Sequence, residues 1–172
     1  EELLGYARAS AERIVSGKKA ITVLDTLSSW ADREMARIHA DGVQDGYGKA
    51  SALLHERITV VVNTILAAGG IFVALAHSKD PSNMEGRYLK GGPRMPGKSS
   101  AIIPSLFSMV LRGKVETDGN MDKHRVFEVD PLDSRFFTKD RYEVVPNGSN
   151  ADLRSAIKNA VGQIRAVEAA NK

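Results

Sequence analysis

The chain is expected to fold as an α/β domain, with a mostly parallel sheet and an antiparallel extension. Three observations predict this. Two short apolar runs, Ala20-Ile21-Thr22-Val23-Leu24-Asp25 and Ile71-Phe72-Val73-Ala74-Leu75-Ala76-His77, read as strands buried on both faces of a parallel sheet. A segment of helical period precedes each run. Toward the C-terminus, short segments parted by Gly113 and by Asp118-Gly119-Asn120 read as β-hairpins.

Taken in order, residues 1–16 carry Leu3, Leu4, Ala7, Ala11 and Ile14 at helical spacing, and Gly17 stops the helix. Residues 20–25 form the first strand. Residues 30–52 are polar and spotted with Gly42, Gly46 and Gly48. A helix is expected from about Ala50 to Ala68 on Leu53, Leu54, Ile58, Val61, Val62, Ile65 and Leu66, closed by Gly69-Gly70. Its Ile-Thr-Val-Val-Val stretch also fits a strand. The second strand is 71–76. Residues 78–100 hold three prolines and four glycines and read as a long loop, either functional or disordered. A strand or short helix at 101–111, a strand at 125–129 and a hairpin-like return through 136–145 follow. A last helix is expected over 150–169, with Ser149 or Asn150 as its cap.

The 172 residues suit one domain with a real core. With 42% hydrophobic and 26% charged residues the composition is that of an ordinary globular protein. The net charge of +3 tolerates nucleic acid without demanding it. The chain has no cysteine, which removes disulfides, thiolate nucleophiles and Cys-based zinc sites. A cytoplasmic setting is expected. The longest apolar stretch, Ile58 to Ala76, is broken by Asn63, Gly69 and Gly70, so no membrane span is expected. The chain opens directly into helical pattern without an initiator Met, as a piece of a longer protein would.

In parallel α/β sheets, ligands bind beyond the carboxyl ends of the strands. Four apolar residues ending in Asp25 make a Walker B-like strand, whose carboxylate can hold Mg²⁺ beside nucleotide phosphates. The bland reading of Asp25 is a helix cap. Thr26 adds a hydroxyl at the turn. His77 ends the neighbouring strand, where a neutral imidazole can meet a γ-phosphate or its attacking water; the bland reading is a capping or core histidine. Lys139 and Arg141, two apart on a strand, share one face and suit a phosphate clamp, or else are solvated charges. Residues 86–115 contain Arg87, Lys90, Arg94, Lys98, Arg112 and Lys114 and no acid, with Tyr88 available to stack on a base. A basic, glycine-rich loop of this kind fits the backbone of single-stranded nucleic acid, or else is simply solvated.

Gly92-Pro93-Arg94-Met95-Pro96-Gly97-Lys98-Ser99 fits the P-loop expression letter by letter. The context does not fit. No buried strand precedes it, and two prolines each remove an N–H donor that would cradle phosphate. A chance match is the expectation.

With these residues in view, the chain resembles the phage-encoded RecA-like ATPases from about Ile21 to Pro146. The resemblance lies in the order of Asp25-Thr26-Leu27, Ala76-His77, Gly92-Pro93, Pro96-Gly97-Lys98, a segment like Leu106 to Arg112, and Lys139-Asp140-Arg141. It implies a RecA-like three-layer core with a mostly parallel twisted sheet and antiparallel edge strands. It implies ATP and Mg²⁺ as cofactors, with Asp25 on the metal, Asp25 and Thr26 at the nucleotide and His77 as sensor. Lys139 and Arg141 would complete a neighbouring subunit's site in a ring or filament. The resemblance further implies hydrolysis coupled to single-stranded DNA in phage recombination or replication, in the host cytoplasm, with Arg87, Lys90, Arg94 and Lys98 toward DNA. The family's Walker A loop would precede the first helix, so this stretch by itself is not expected to hydrolyse ATP. The rival expectation is a non-hydrolytic DNA-binding or scaffold module with the same fold.

Overall fold

The structure, a computed structural model, describes residues 2–18, 21–44, 46–84, 87–97, 99–129 and 136–170. The chain divides into two compact units, Glu1–Lys79 with Pro93–Leu106, and Asp80–Gly92 with Phe107–Lys172.

The first unit opens with helix α1 (Glu2–Val15), strand β1 (Ile21–Asp25), helix α2 (Leu27–Ala40), helix α3 (Lys49–Ala67) and strand β2 (Ile71–Leu75). Helix α1 buries Ala7 and half-buries Leu3, Leu4, Ala11 and Ile14, the stripe expected from the sequence. It ends at Gly17, whose φ of +82° costs a glycine nothing. Helix α2 falls where the sequence reads as a polar linker. Its buried positions Leu27, Ser28, Ala31, Glu34, Met35 and Ile38 follow a helical stripe that polar members disguise. Thr26 caps it, its hydroxyl accepting the Ser29 N–H at 3.1 Å. Helix α3 buries Ala50, Ser51, Leu54, Ile58, Val61, Val62 and Ile65. Burial along one stripe overrides the weak helix propensity of its β-branched run.

Strands β1 and β2 pair in parallel, Ile21 with Ile71 through Asp25 with Leu75. They form a two-stranded sheet. Phe72 is buried, while Ile21 and Val23 on the opposite face are 52% and 56% exposed. The expectation of strands buried on both faces is therefore corrected: one face is covered and the other is open.

After β2 come short strands β3 (Ser78–Lys79), β4 (Ser82–Met84), β5 (Arg87–Leu89) and β6 (Gly92–Pro93), then a single-turn helix α4 (Ser99–Ile102) and a 3-10 turn at Ile103–Leu106. The second unit continues with β7 (Met109–Val110), β8 (Arg112–Thr117), β9 (Lys123–Glu128), β10 (Lys139–Asp140), β11 (Ser149–Asn150) and helix α5 (Leu153–Ala170). The pairs β4–β5, β8–β9, β9–β11 and β7–β10 are antiparallel. A small core of Val129, Val145 and Ala156 gathers Met109, Leu111, Phe127 and Val144. Helix α5 starts later than expected. Ser149 and Asn150 belong to β11, and the Asp152 carboxylate receives the Arg154 and Ser155 N–H groups instead.

The RecA-like three-layer core with its mostly parallel sheet is not what forms. The strands make separate sheets of two or three, mostly antiparallel. The reason lies in the connections. A parallel neighbour needs a crossover of a dozen or more residues, normally a helix, and α2 with α3 supply one such crossover, between β1 and β2. The glycines and prolines of 78–97 go with strands of only two and three residues among the described residues.

Candidate functional site

The register Asp25–Leu75 puts the carboxyl ends of β1 and β2 side by side, with His77 two residues beyond Leu75. Asp25 and His77 thus stand at the same end of one parallel pair. Both are exposed. No hydrogen bond or ion pair engages the Asp25 carboxylate or the His77 ring among the described residues.

The backbone around them is fixed. Thr26 leads into α2, its hydroxyl also donating to the Ser29 hydroxyl at 2.9 Å. Ser28, fully buried in the first turn, accepts the His77 N–H at 3.0 Å. The His77 carbonyl accepts the Arg94 N–H at 2.7 Å, which folds the 93–97 segment back onto the end of β2. The Arg94 guanidinium donates to Asp32 on α2 at 2.7 Å. The basic side chain expected to face nucleic acid is therefore held in an exposed ion pair, worth about 0–1 kcal/mol and breakable by a stronger anion.

A lone exposed carboxylate fits Mg²⁺, which keeps several waters and takes one or two protein carboxylates plus substrate phosphates. No cluster of three His, Cys, Asp or Glu suited to a metal occurs among the described residues, so an all-protein metal cage is not offered there.

The P-loop-like segment does not take P-loop form. Its first two residues are the two-residue strand β6, and α4, which starts at its last residue, is a single turn. Ser99 is fully buried, its hydroxyl has no partner among the described residues, and its N–H donates to the Pro96 carbonyl at 3.2 Å. Gly97, at φ +56°, lies so close to α3 that a Cβ there would sit 2.4 Å from the Ser51 hydroxyl. Lys98 lies outside the described residues.

The other expected cations fall in the second unit. Lys90 is exposed and sits over the Phe137 ring at 5.6 Å. Arg87 belongs to β5, and its side chain, like that of Tyr88, lies outside the described residues. Lys139 sits in β10 opposite Val110. Arg141 is in the turn after it, its N–H donating to the Ser108 carbonyl at 3.1 Å. Burial, and then the Arg141 charge, hold the Lys139 ammonium below its ordinary pKa.

The sequence reading missed what shapes this turn. The Asp140 carboxylate accepts the backbone N–H groups of Tyr142, Val144 and Val145 at 2.8–2.9 Å. The acid between the two bases is a structural organiser, and its spacing from the turn was the available signal.

A groove of about 730 Å³ opens elsewhere in the first unit, lined by Leu3, Leu4, Trp30, Leu53 and Val60 above Glu34 and Arg57. Asp25, His77 and Arg94 do not line it. No helix among the described residues is long and apolar enough to cross a membrane. No family model, curated protein or solved structure matches the chain.

Proposed function

We propose that the chain is part of an ATPase that couples ATP hydrolysis to binding of single-stranded DNA, in the phage recombination or replication setting that its motif order suggests. One observation carries this reading: among the described residues the exposed carboxylate of Asp25 and the exposed imidazole of His77 have no partner, and both stand at the carboxyl side of two parallel strands.

In this reading Asp25 would hold Mg²⁺, which would supply positive charge to the nucleotide phosphates. His77, fixed through its backbone by Ser28 and Arg94, orients the water that attacks the γ-phosphate. Thr26 positions the Asp25 end by capping α2. Lys139 and Arg141 supply positive charge to the site of a neighbouring subunit in a homo-oligomer, where it stabilises the charge of the transferring phosphoryl group. Arg87, Lys90, Arg94 and Lys98 contribute backbone-phosphate contacts to DNA, Arg94 by exchanging Asp32 for phosphate.

Ser99, buried and without a partner for its hydroxyl among the described residues, and the single-turn α4 support a second reading, a non-hydrolytic DNA-binding module, because neither cradles phosphate.

Paramagnetic NMR tests the first reading even if affinity is weak. Mn²⁺ with ATP should broaden the His77 ring and Thr26 amide resonances, and Asp25→Asn should abolish the broadening. Absence of broadening at both positions at millimolar Mn²⁺–ATP overturns it. Salt-sensitive binding of labelled single-stranded DNA without that broadening favours the module.

A further inference from the structure

The β8–β9 hairpin plays no part in the site above. Its register runs Arg112–Glu128, Gly113–Phe127, Lys114–Val126, Val115–Arg125, Glu116–His124 and Thr117–Lys123. Alternation along each strand therefore sorts the side chains onto two faces. Arg112, Lys114, Glu116, His124, Val126 and Glu128 share one. Val115, Thr117, Lys123, Arg125 and Phe127 share the other.

The charges are segregated between these faces. On the first, acids and bases neutralise one another: Arg112 with Glu128 at 2.7 Å, and Lys114 with Glu116 at 2.8 Å and with Glu128 at 3.5 Å. At the turn, His124 meets Asp118 at 2.9 Å. On the second face Lys123 and Arg125 have no carboxylate beside them on the hairpin, and no hydrogen bond or ion pair engages either side chain among the described residues. The remaining acid at the turn is Asp122, whose N–H donates to Asp118.

The base of the hairpin is anchored and its tip stands free. Val126 and Glu128 are buried, and Phe127 packs on the Val129, Val145 and Ala156 core. Strand β11 covers the outer edge of β9 at Phe127 and Val126, and the Ala151 N–H reaches the Arg125 carbonyl. Every residue from 115 to 125 is exposed. Met121, at the turn with φ +68°, is 81% exposed, and Val115 is 60% exposed.

We propose that this hairpin is an arm that binds duplex DNA. A two-stranded antiparallel ribbon is an element that the major groove admits. Lys123 and Arg125 lie two residues apart on one face, about 6.8 Å along the strand. The two cations take phosphates, and Met121 and Val115 bring apolar surface to the bases or sugars beyond them. The proposal goes beyond the nucleotide-linked reading and does not rest on it, because its test uses neither nucleotide nor Mg²⁺.

The experiment is fluorescence anisotropy of the full chain with a labelled duplex and with the single strand of the same sequence, across a salt series. Lys123→Glu with Arg125→Glu should weaken duplex binding at least tenfold and reduce the slope of log affinity against log salt by about 1.8, the value for two phosphate contacts. Single-strand binding should change less than twofold. Met121→Ser should weaken duplex binding severalfold and leave the slope unchanged. All three side chains are exposed, so the thermal unfolding midpoint should hold; the milder Lys123→Gln with Arg125→Gln replaces the charge reversal if it does not. Unchanged duplex affinity and slope in the charge variant overturn the proposal. So does an equal loss on single strand and duplex, or competition by poly-glutamate as effective as by unlabelled duplex.

Discussion

The hydroxyl of Ser28, fully buried in the first turn of α2, accepts the backbone N–H of His77 at 3.0 Å. This bond joins the helix that follows Asp25 to the second residue beyond β2. It holds the two strand ends of the candidate site in one frame.

Ser28→Ala should therefore act on both stability and site. Removing a buried acceptor strands the His77 N–H, at a cost of about 1–3 kcal/mol. Urea denaturation should show that loss. The His77 amide should also exchange with solvent faster than its neighbours. An unchanged midpoint and unchanged exchange would show that the bond does not restrain the site.

Gly97→Ala should destabilise the first unit, because a Cβ would meet the Ser51 hydroxyl at 2.4 Å and the residue sits at φ +56°. The left-handed conformation alone costs a non-glycine residue about 1–2 kcal/mol. Adding Ser51→Ala should restore the part due to the contact but not the part due to φ. A double-mutant cycle in thermal unfolding measures the two separately.

Glu34 on α2 is buried with its carboxylate bonded to Arg57 of α3 and, at 3.4 Å, to Arg37. Arg57→Ala strands much of that charge, and breaking a buried pair costs about 3–5 kcal/mol. The lower end applies here, because Arg37 remains and Arg57 is partly exposed. Glu34→Met with Arg57→Met should be milder than Arg57→Ala. Equilibrium denaturation ranks the variants, and the reverse order would show that the pair contributes little.

Acid stability should depend on Glu128. The Arg112 guanidinium beside it holds its carboxyl below the ordinary value of 4.5, against the opposing effect of burial, with Lys114 adding to the lowering. A depressed folded-state pKa contributes stability above the unfolded value and loses it as pH falls through the folded one. The contribution is thus complete above about 4.5 and fades below it. Glu128→Gln should flatten the acid limb of the stability–pH curve and lower stability at neutral pH. A limb that keeps its slope below pH 4.5 would assign the acid sensitivity to other groups.

Much of the first unit was legible. The stripes of α1 and α3, the stop at Gly69 and the two strands emerged from period and composition, because burial of a single face leaves a mark in the sequence. Helix α2 did not emerge, since Ser28 and Glu34 occupy buried positions as polar residues and gain their partners only from β2 and α3. The strand at 112–117 was also missed. Its charged face is neutralised by a strand that is remote until the turn at 118–122 closes.

The sequence by itself determined where α1 and α3 form, where the chain turns after them, and that Asp25 ends one apolar strand, with His77 two residues past the end of another. The tertiary structure alone decided that β1 and β2 pair side by side, that they form a two-stranded sheet among the described residues, that Arg94 binds Asp32, and that Ser99 is buried. Period and turn chemistry are local properties of consecutive residues. Pairing, burial and charge neutralisation depend on which distant residues arrive, and only the folded chain brings them together.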